Sequence, residues 1–131
     1  MKNAFDHLIE GLVKDYGMPS FPDKSHEDEV YCFEFENKVS IKIYQDSARW
    51  VYFLAEFGTL IDLKTEVLNE LLKLNKFSFR TPFFTVGMGT EGEAMLHTRA
   101  PLIEVDSVQM RNIFENLILI ANNIKKKFNI Q

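Results

Sequence analysis

The chain has 131 residues, 46% of them hydrophobic and 26% charged, a length and balance that suit one folded domain with a core of ordinary size. A formal charge of −4 and a pI near 5.4 argue against non-specific nucleic-acid binding, which needs a basic footprint. The single cysteine, Cys32, excludes an internal disulfide and a zinc site built on a cysteine cluster, and it suits a reducing cytoplasm.

Phe5, Leu8, Ile9, Leu12, Val13 and Tyr16 recur at the spacing of one helix face, so the chain opens on an amphipathic helix. Gly17 and Pro19 end it. Asp6, His7, Glu10 and Lys14 interrupt the apolar stretch too often for a secretory signal, and no run approaches the ~18 residues of a membrane span. Asp6 and Glu10 are expected to face solvent beside Lys14. Met18 to Glu29 reads as a polar connection.

Two alternating runs follow. Tyr31, Phe33 and Phe35 share one face of the first; Val39, Ile41 and Ile43 share one face of the second. A loop of Glu36, Asn37 and Lys38 sets Phe35 opposite Val39 and Phe33 opposite Ile41, which brings both apolar sets to the same side of a sheet. A turn of Asn37 and Lys38 alone would put them on opposite sides. The third run, Trp50 to Ala55, is apolar on both faces, which implies cover on both, the second cover coming from another molecule.

A second helix is expected from about Leu63 to Leu74. Val67, Leu71 and Leu74 form one stripe, and Leu68 and Leu72 widen it, as in a helix that is deeply buried or shared with a partner.

Gly87-Met88-Gly89-Thr90-Glu91-Gly92 then spells G-x-G-x-x-G. A dinucleotide loop needs a strand before it and a helix after it. Phe83 to Val86 supplies the strand, but the residues after Gly92 alternate, with Ala94, Leu96 and Thr98 on one side and Glu93, Met95, His97 and Arg99 on the other, and stop at Pro101. That is too short for a crossover helix. The reading is a β-hairpin over Phe83–Arg99 whose glycines serve a turn. Its rival is an enzyme or nucleotide binder, and the segment after Gly92 decides between them: helix for the rival, strand for the hairpin.

The last helix runs from about Asp106 into Lys125, Lys126 and Lys127, with Met110, Phe114, Leu117, Ala121, Ile124 and Phe128 on its inner face. Asp106 suits its N-cap and the lysines suit the negative end of its dipole. The order is α-β-β-β-α-β-β-α, an α+β fold in which an antiparallel sheet packs with helices.

No constellation of catalytic residues emerges. His7, His26 and His97 are scattered without metal-ligand spacing, Cys32 has no histidine partner, and Ser20, Ser25 and Ser47 lack a nucleophile-elbow context. Glu91 and Glu93 merely flank Gly92. No cofactor or metal is expected. What stands out is apolar surface in excess. With Tyr31, Phe33, Phe35, Val39, Ile41 and Ile43 assigned to the core, Val30, Cys32 and Tyr44 fall on the outer face. Beside them lies either Trp50, Tyr52 and Leu54 or Val51, Phe53 and Phe57; strand parity allows both. Trp and Tyr tolerate partial exposure and favour interfaces, so the first set is taken as outward and Phe53 and Phe57 as inward.

The opening helix that ends in Asp15-Tyr16-Gly17-Met18-Pro19, the central helix Glu66 to Asn75, the Gly-containing hairpin, and Arg99-Ala100-Pro101-Leu102 before the last helix together resemble the type III secretion chaperones of the CesT/SycE (Tir chaperone) kind. The YbjN-like proteins, a scaffold of the same shape without a secretion role, are similar as well. The resemblance to the chaperones spans nearly the whole chain and implies one such domain over residues 1–131, with no catalytic residue and no cofactor. It further implies a cytoplasmic homodimer in a Gram-negative bacterium. That dimer binds the extended N-terminal segment of a secreted effector and keeps it secretion-competent, and the ATPase of the delivery system strips the effector off. Nucleic acid and membrane are not partners. On this resemblance Val67, Leu68, Leu71, Leu72 and Leu74 are expected at the dimer contact. Val30, Cys32, Tyr44, Trp50, Tyr52 and Leu54 are expected to receive the effector.

Overall fold

A computed structural model describes residues 4–18, 30–35, 38–75 and 84–131. The elements are α1 (Ala4–Asp15), β1 (Tyr31–Glu34), β2 (Ser40–Gln45), β3 (Trp50–Thr59), α2 (Thr65–Lys73), β4 (Thr85–Met88), β5 (Glu93–Pro101), a 3-10 turn (Leu102–Glu104) and α3 (Ser107–Lys127). The expected element order is present. Most of the polar connection, with Ser20, Ser25 and His26, lies outside the described residues, as do Glu36, Asn37 and Phe83.

The strands form one antiparallel five-stranded sheet in the order β1-β2-β3-β5-β4. Phe33 stands opposite Ile41 and Tyr31 opposite Ile43. The Phe35 N–H donates to the Val39 carbonyl at 3.0 Å, so the hairpin has the register that places both apolar sets on one face. Lys38 takes a left-handed φ of 67° to close that turn. The β3–β5 pairing welds the first three strands to the last hairpin, with Tyr52 opposite Arg99 and Leu54 opposite His97.

The G-x-G-x-x-G residues make the β4–β5 turn. Gly89 donates to the Glu93 carbonyl at 2.9 Å and Gly92 to the Gly89 carbonyl at 3.0 Å. Gly92 has φ +87°, where a Cβ would also run into Ile61. A strand follows, so the nucleotide-loop reading lacks its helix.

The core lies between the inner sheet face and α1 with α3. Phe33, Ile41, Ile43, Val51, Phe53, Ala55, Phe57, Ala94 and Leu96 are buried there beneath Phe5, Ile9 and Leu12 of α1 and Met110, Phe114, Leu117 and Ala121 of α3. Phe114 is the hub: its ring meets Phe33 and Tyr16 edge-on, each at 5.0 Å between centroids. Asp106 caps α3 by accepting from the Gln109 N–H at 2.8 Å, and Lys125, Lys126 and Lys127 fill the last turn. Phe128 follows the helix and packs, half-buried, on the core.

One expectation needs correction. Asp6 does not face solvent: it is 4% exposed and its Oδ1 accepts from the Tyr31 hydroxyl at 3.0 Å. A carboxylate one residue from the apolar stripe is drawn inside because a strand aromatic brings a donor to it. For the second helix, two readings stood open, deep burial or a surface shared with a partner, and deep burial is not what is seen. Only Leu71 enters the core at 3% exposed; Val67 and Leu68 lean on it, and Leu72 and Leu74 are exposed at 70% and 44%.

Candidate functional site

The outer face of the sheet gathers most of the residues expected at the binding site. Even-numbered residues of β1 to β3 point away from α1 and α3, because their odd-numbered neighbours are the buried ones. Cys32, Tyr44, Trp50, Tyr52 and Leu54 are therefore on one surface, each half-buried, and exposed Val30 precedes them just before β1. Tyr44 and Tyr52 are cross-strand partners with ring centroids 6.2 Å apart. Cys32 and Leu54 flank Lys42, which stands opposite both in register.

The β2–β3 turn fixes the aromatic end of this face. Asp46 Oδ1 accepts from the Trp50 N–H at 2.9 Å and the Ala48 N–H at 3.0 Å, and Oδ2 accepts from the Tyr52 hydroxyl at 2.8 Å. These donors, the Trp50 amide first, hold the Asp46 carboxyl below its ordinary pKa. One carboxylate thus closes the turn and orients the tyrosine. Lys42 crosses to Glu56 at 3.0 Å, and this hydrogen bond raises the Lys42 pKa. Burial, and then Glu34, pushes the Cys32 thiol up, away from the reactive thiolate.

The β3–β5 pairing adds residues that the sequence did not attach to this surface. Met95, His97, Arg99 and Pro101 lie opposite Glu56, Leu54, Tyr52 and Trp50. The Arg99 guanidinium carbon sits 4.4 Å from the centroid of the Trp50 ring. The signal was half present: His97 and Arg99 share a side of their strand, but nothing in the chain says which strand is its neighbour.

The two sheet edges differ. Since Phe35 and Val39 are a hydrogen-bonded pair, so are Phe33–Ile41 and Tyr31–Ile43, and the backbone groups of Cys32 and Glu34 turn away from β2. At β4 the outward backbone of Val86 is taken by a side chain. The Val86 N–H donates to Asn75 Oδ1 at 2.7 Å, and Asn75 Nδ2 donates to the Val86 carbonyl at 2.9 Å. The amide stands in for one residue of a neighbouring strand.

Of the residues expected at a dimer contact, Leu72 and Leu74 are open on α2, Val67 and Leu68 are partly covered, and Leu71 is committed to the core. Among the described residues, no group of three or more His, Cys, Asp or Glu is placed to hold a metal ion, and no helix is long and apolar enough to cross a membrane.

The Tir chaperone protein (CesT) family model matches residues 7–125. Among solved structures, a chain of the ExsC–ExsE complex is similar over 93% of this chain and 91% of its own, at 14% identity and a TM-score of 0.79. The structure of the Yersinia pestis type III secretion chaperone SycH with a stable fragment of YscM2 contains a chain similar over 92% of this one and 99% of its own, at 12% identity and a TM-score of 0.71. The ExoT–SpcS complex from Pseudomonas aeruginosa contains one similar over 94% and 98%, at 19% identity and a TM-score of 0.66. At such identities the likeness is one of fold. A comparison with curated proteins found no match. The family model spans all but the ends of the chain, and the chain belongs to the Tir chaperone protein (CesT) family.

Proposed function

We propose that the protein is a cytoplasmic chaperone that binds the N-terminal segment of a type III secreted effector in extended form and keeps it competent for secretion. Residues 1–131 act as one domain that binds and releases without catalysis. The reading is carried by the outer sheet face: Tyr44, Trp50, Tyr52 and Leu54 present contiguous, half-buried apolar surface on a chain of this family. Two solved structures of similar fold are chaperone complexes, SycH with a fragment of YscM2 and the HopA1–SchA chaperone–effector complex. An extended segment can lay alternate side chains on this face, and the outward backbone of Cys32 and Glu34 offers it a strand edge.

Trp50 is the only tryptophan, so its emission reports the site directly. Adding the effector's N-terminal segment, identified by co-purification from the native host, is expected to shift that emission to the blue. Trp50→Ala or Tyr52→Ala is expected to weaken binding by about 1–3 kcal/mol while the protein stays folded. Undiminished binding by both variants would remove this face from the site.

The active form is proposed to be a homodimer joined through α2, where Leu72 and Leu74 are exposed and Val67 and Leu68 border them. Leu72→Glu would place an unpaired charge in that apolar contact and is expected to give monomer or aggregate in light scattering. A clean dimer would move the contact elsewhere.

A further inference from the structure

We propose that Arg99 makes the outer sheet face selective for extended segments that carry a carboxylate among their apolar side chains. This rests on the peptide-binding reading above and names the chemistry of the segment that fits.

The face sets Glu34, Lys42, Glu56, Glu93, His97 and Arg99 around its apolar residues, and these charges are not equally matched. Lys42 is neutralised by Glu56 at 3.0 Å. Arg99 is exposed, and no carboxylate among the described residues lies within ion-pair distance of it. Asp46 is the carboxylate whose charge it does feel, but both Asp46 oxygens already accept hydrogen bonds, from Ala48, Trp50 and Tyr52. Among the described residues, Arg99 is thus a cation without an ion pair that lies over the aromatic end of this face.

Its posture suits a ligand. The guanidinium lies 4.4 Å from the centroid of the Trp50 ring, so the indole restrains the group while its edge donors stay available. A planar guanidinium so held takes a carboxylate through two parallel N–H···O bonds. An extended segment repeats its side chains on one face about every 7 Å. A segment with Asp or Glu over Arg99 thus sets its next same-face residues at the distance of the diagonal neighbours of Arg99 on β3, Trp50 and Leu54. The segment expected has an acidic residue with apolar residues two positions away on either side. If Arg99 serves only to shield Trp50, it would confer no preference for acidic residues.

The test is selection of a displayed random-peptide library on the full-length protein and on Arg99→Gln, with circular dichroism confirming that the variant is folded. On the unaltered protein, selected sequences are expected to carry Asp or Glu flanked by apolar residues at alternate positions. On Arg99→Gln the apolar pattern is expected to persist and the acidic enrichment to vanish. A selected acidic peptide is expected to bind Arg99→Gln about tenfold more weakly. Apolar sequences without acidic enrichment on the unaltered protein, or acidic enrichment that survives in Arg99→Gln, overturn the inference and leave peptide binding standing. Failure to select any peptide overturns both.

Discussion

Strand β3 carries two faces built from alternate residues of the same apolar run, and they have opposite fates. Val51, Phe53, Ala55 and Phe57 are fully buried against the helices, while Trp50, Tyr52, Leu54 and Glu56 are half-buried on the open side. What sets the outer residues apart is what their side chains can do at a wet boundary. Tyr52 has a hydroxyl that Asp46 accepts, and Trp50 has a ring that Arg99 covers. Phe53 and Phe57 have no such handle and fill the space under α3, which packs on β3. Leu54 is the exception, held outward by parity with Lys42 and His97 as neighbours. One face holds the fold together and the other stays half-exposed.

The largest expected effect follows from that split. Phe53→Ala should cost about 3–5 kcal/mol in urea unfolding, because it empties volume that nothing else fills. Leu54→Ala, one residue on, should cost about 1 kcal/mol or less, as a half-exposed side chain buries less area. Equal losses would mean that the outer face is as tightly packed as the inner one.

How legible this was depended on whether a local rule applied. The β1–β2 register followed from the length of one loop, and the two ends of α3 from Asp106 and three lysines, because each involves only neighbours in the chain. The choice of Trp50, Tyr52 and Leu54 as outward was legible from residue chemistry once parity had left two options. Contacts between distant segments were not. Arg99 meets Trp50 only because β5 pairs with β3, Asp6 is buried only because Tyr31 reaches it, and Asn75 touches Val86, 11 residues further along the chain. Periodicity assigns faces to elements; it does not say which element lies alongside which. In α2 it left burial and a shared surface both open, and a helix packed along one side leaves Leu72 in solvent whatever its hydropathy.

The two edges of the sheet extend the comparison. Asn75→Ala leaves the Val86 N–H and carbonyl without the partner they now have, at an expected cost of about 1–3 kcal/mol. Because the exposed backbone is then a template for pairing, the variant should also aggregate more readily in light scattering than a surface control such as Asn123→Ala. Unchanged stability and unchanged aggregation would mean that the Asn75 amide does not protect that edge.

A smaller effect separates packing from orientation on the outer face. Tyr52→Phe keeps the ring against Tyr44 and removes only the hydroxyl that Asp46 accepts. The loss should be about 1 kcal/mol in stability. Binding measured by Trp50 emission should fall less than for Tyr52→Ala. If Tyr52→Phe and Tyr52→Ala weaken binding alike, the hydroxyl rather than the ring is what the partner reads.

The smallest effect concerns the turn beneath the aromatic end. The Asp46 carboxyl sits below its ordinary pKa of 3.8 because the amides of Trp50 and Ala48 and the hydroxyl of Tyr52 all donate to the charged form. A carboxyl whose pKa is depressed on folding contributes stability that is present above the unfolded value and lost as pH falls through the folded one. The turn is therefore at full strength at neutral pH and weakens only in acid, below about pH 4. Asp46→Asn retains an acceptor oxygen but cannot titrate. Its urea midpoint should be slightly lower than that of the unaltered protein at pH 7, and the gap should close as the pH falls toward the low end of the carboxylate range. A gap that stays constant down to acid pH would show that the loss comes from shape rather than charge, and that the turn holds Trp50 and Tyr52 without the carboxylate's negative charge.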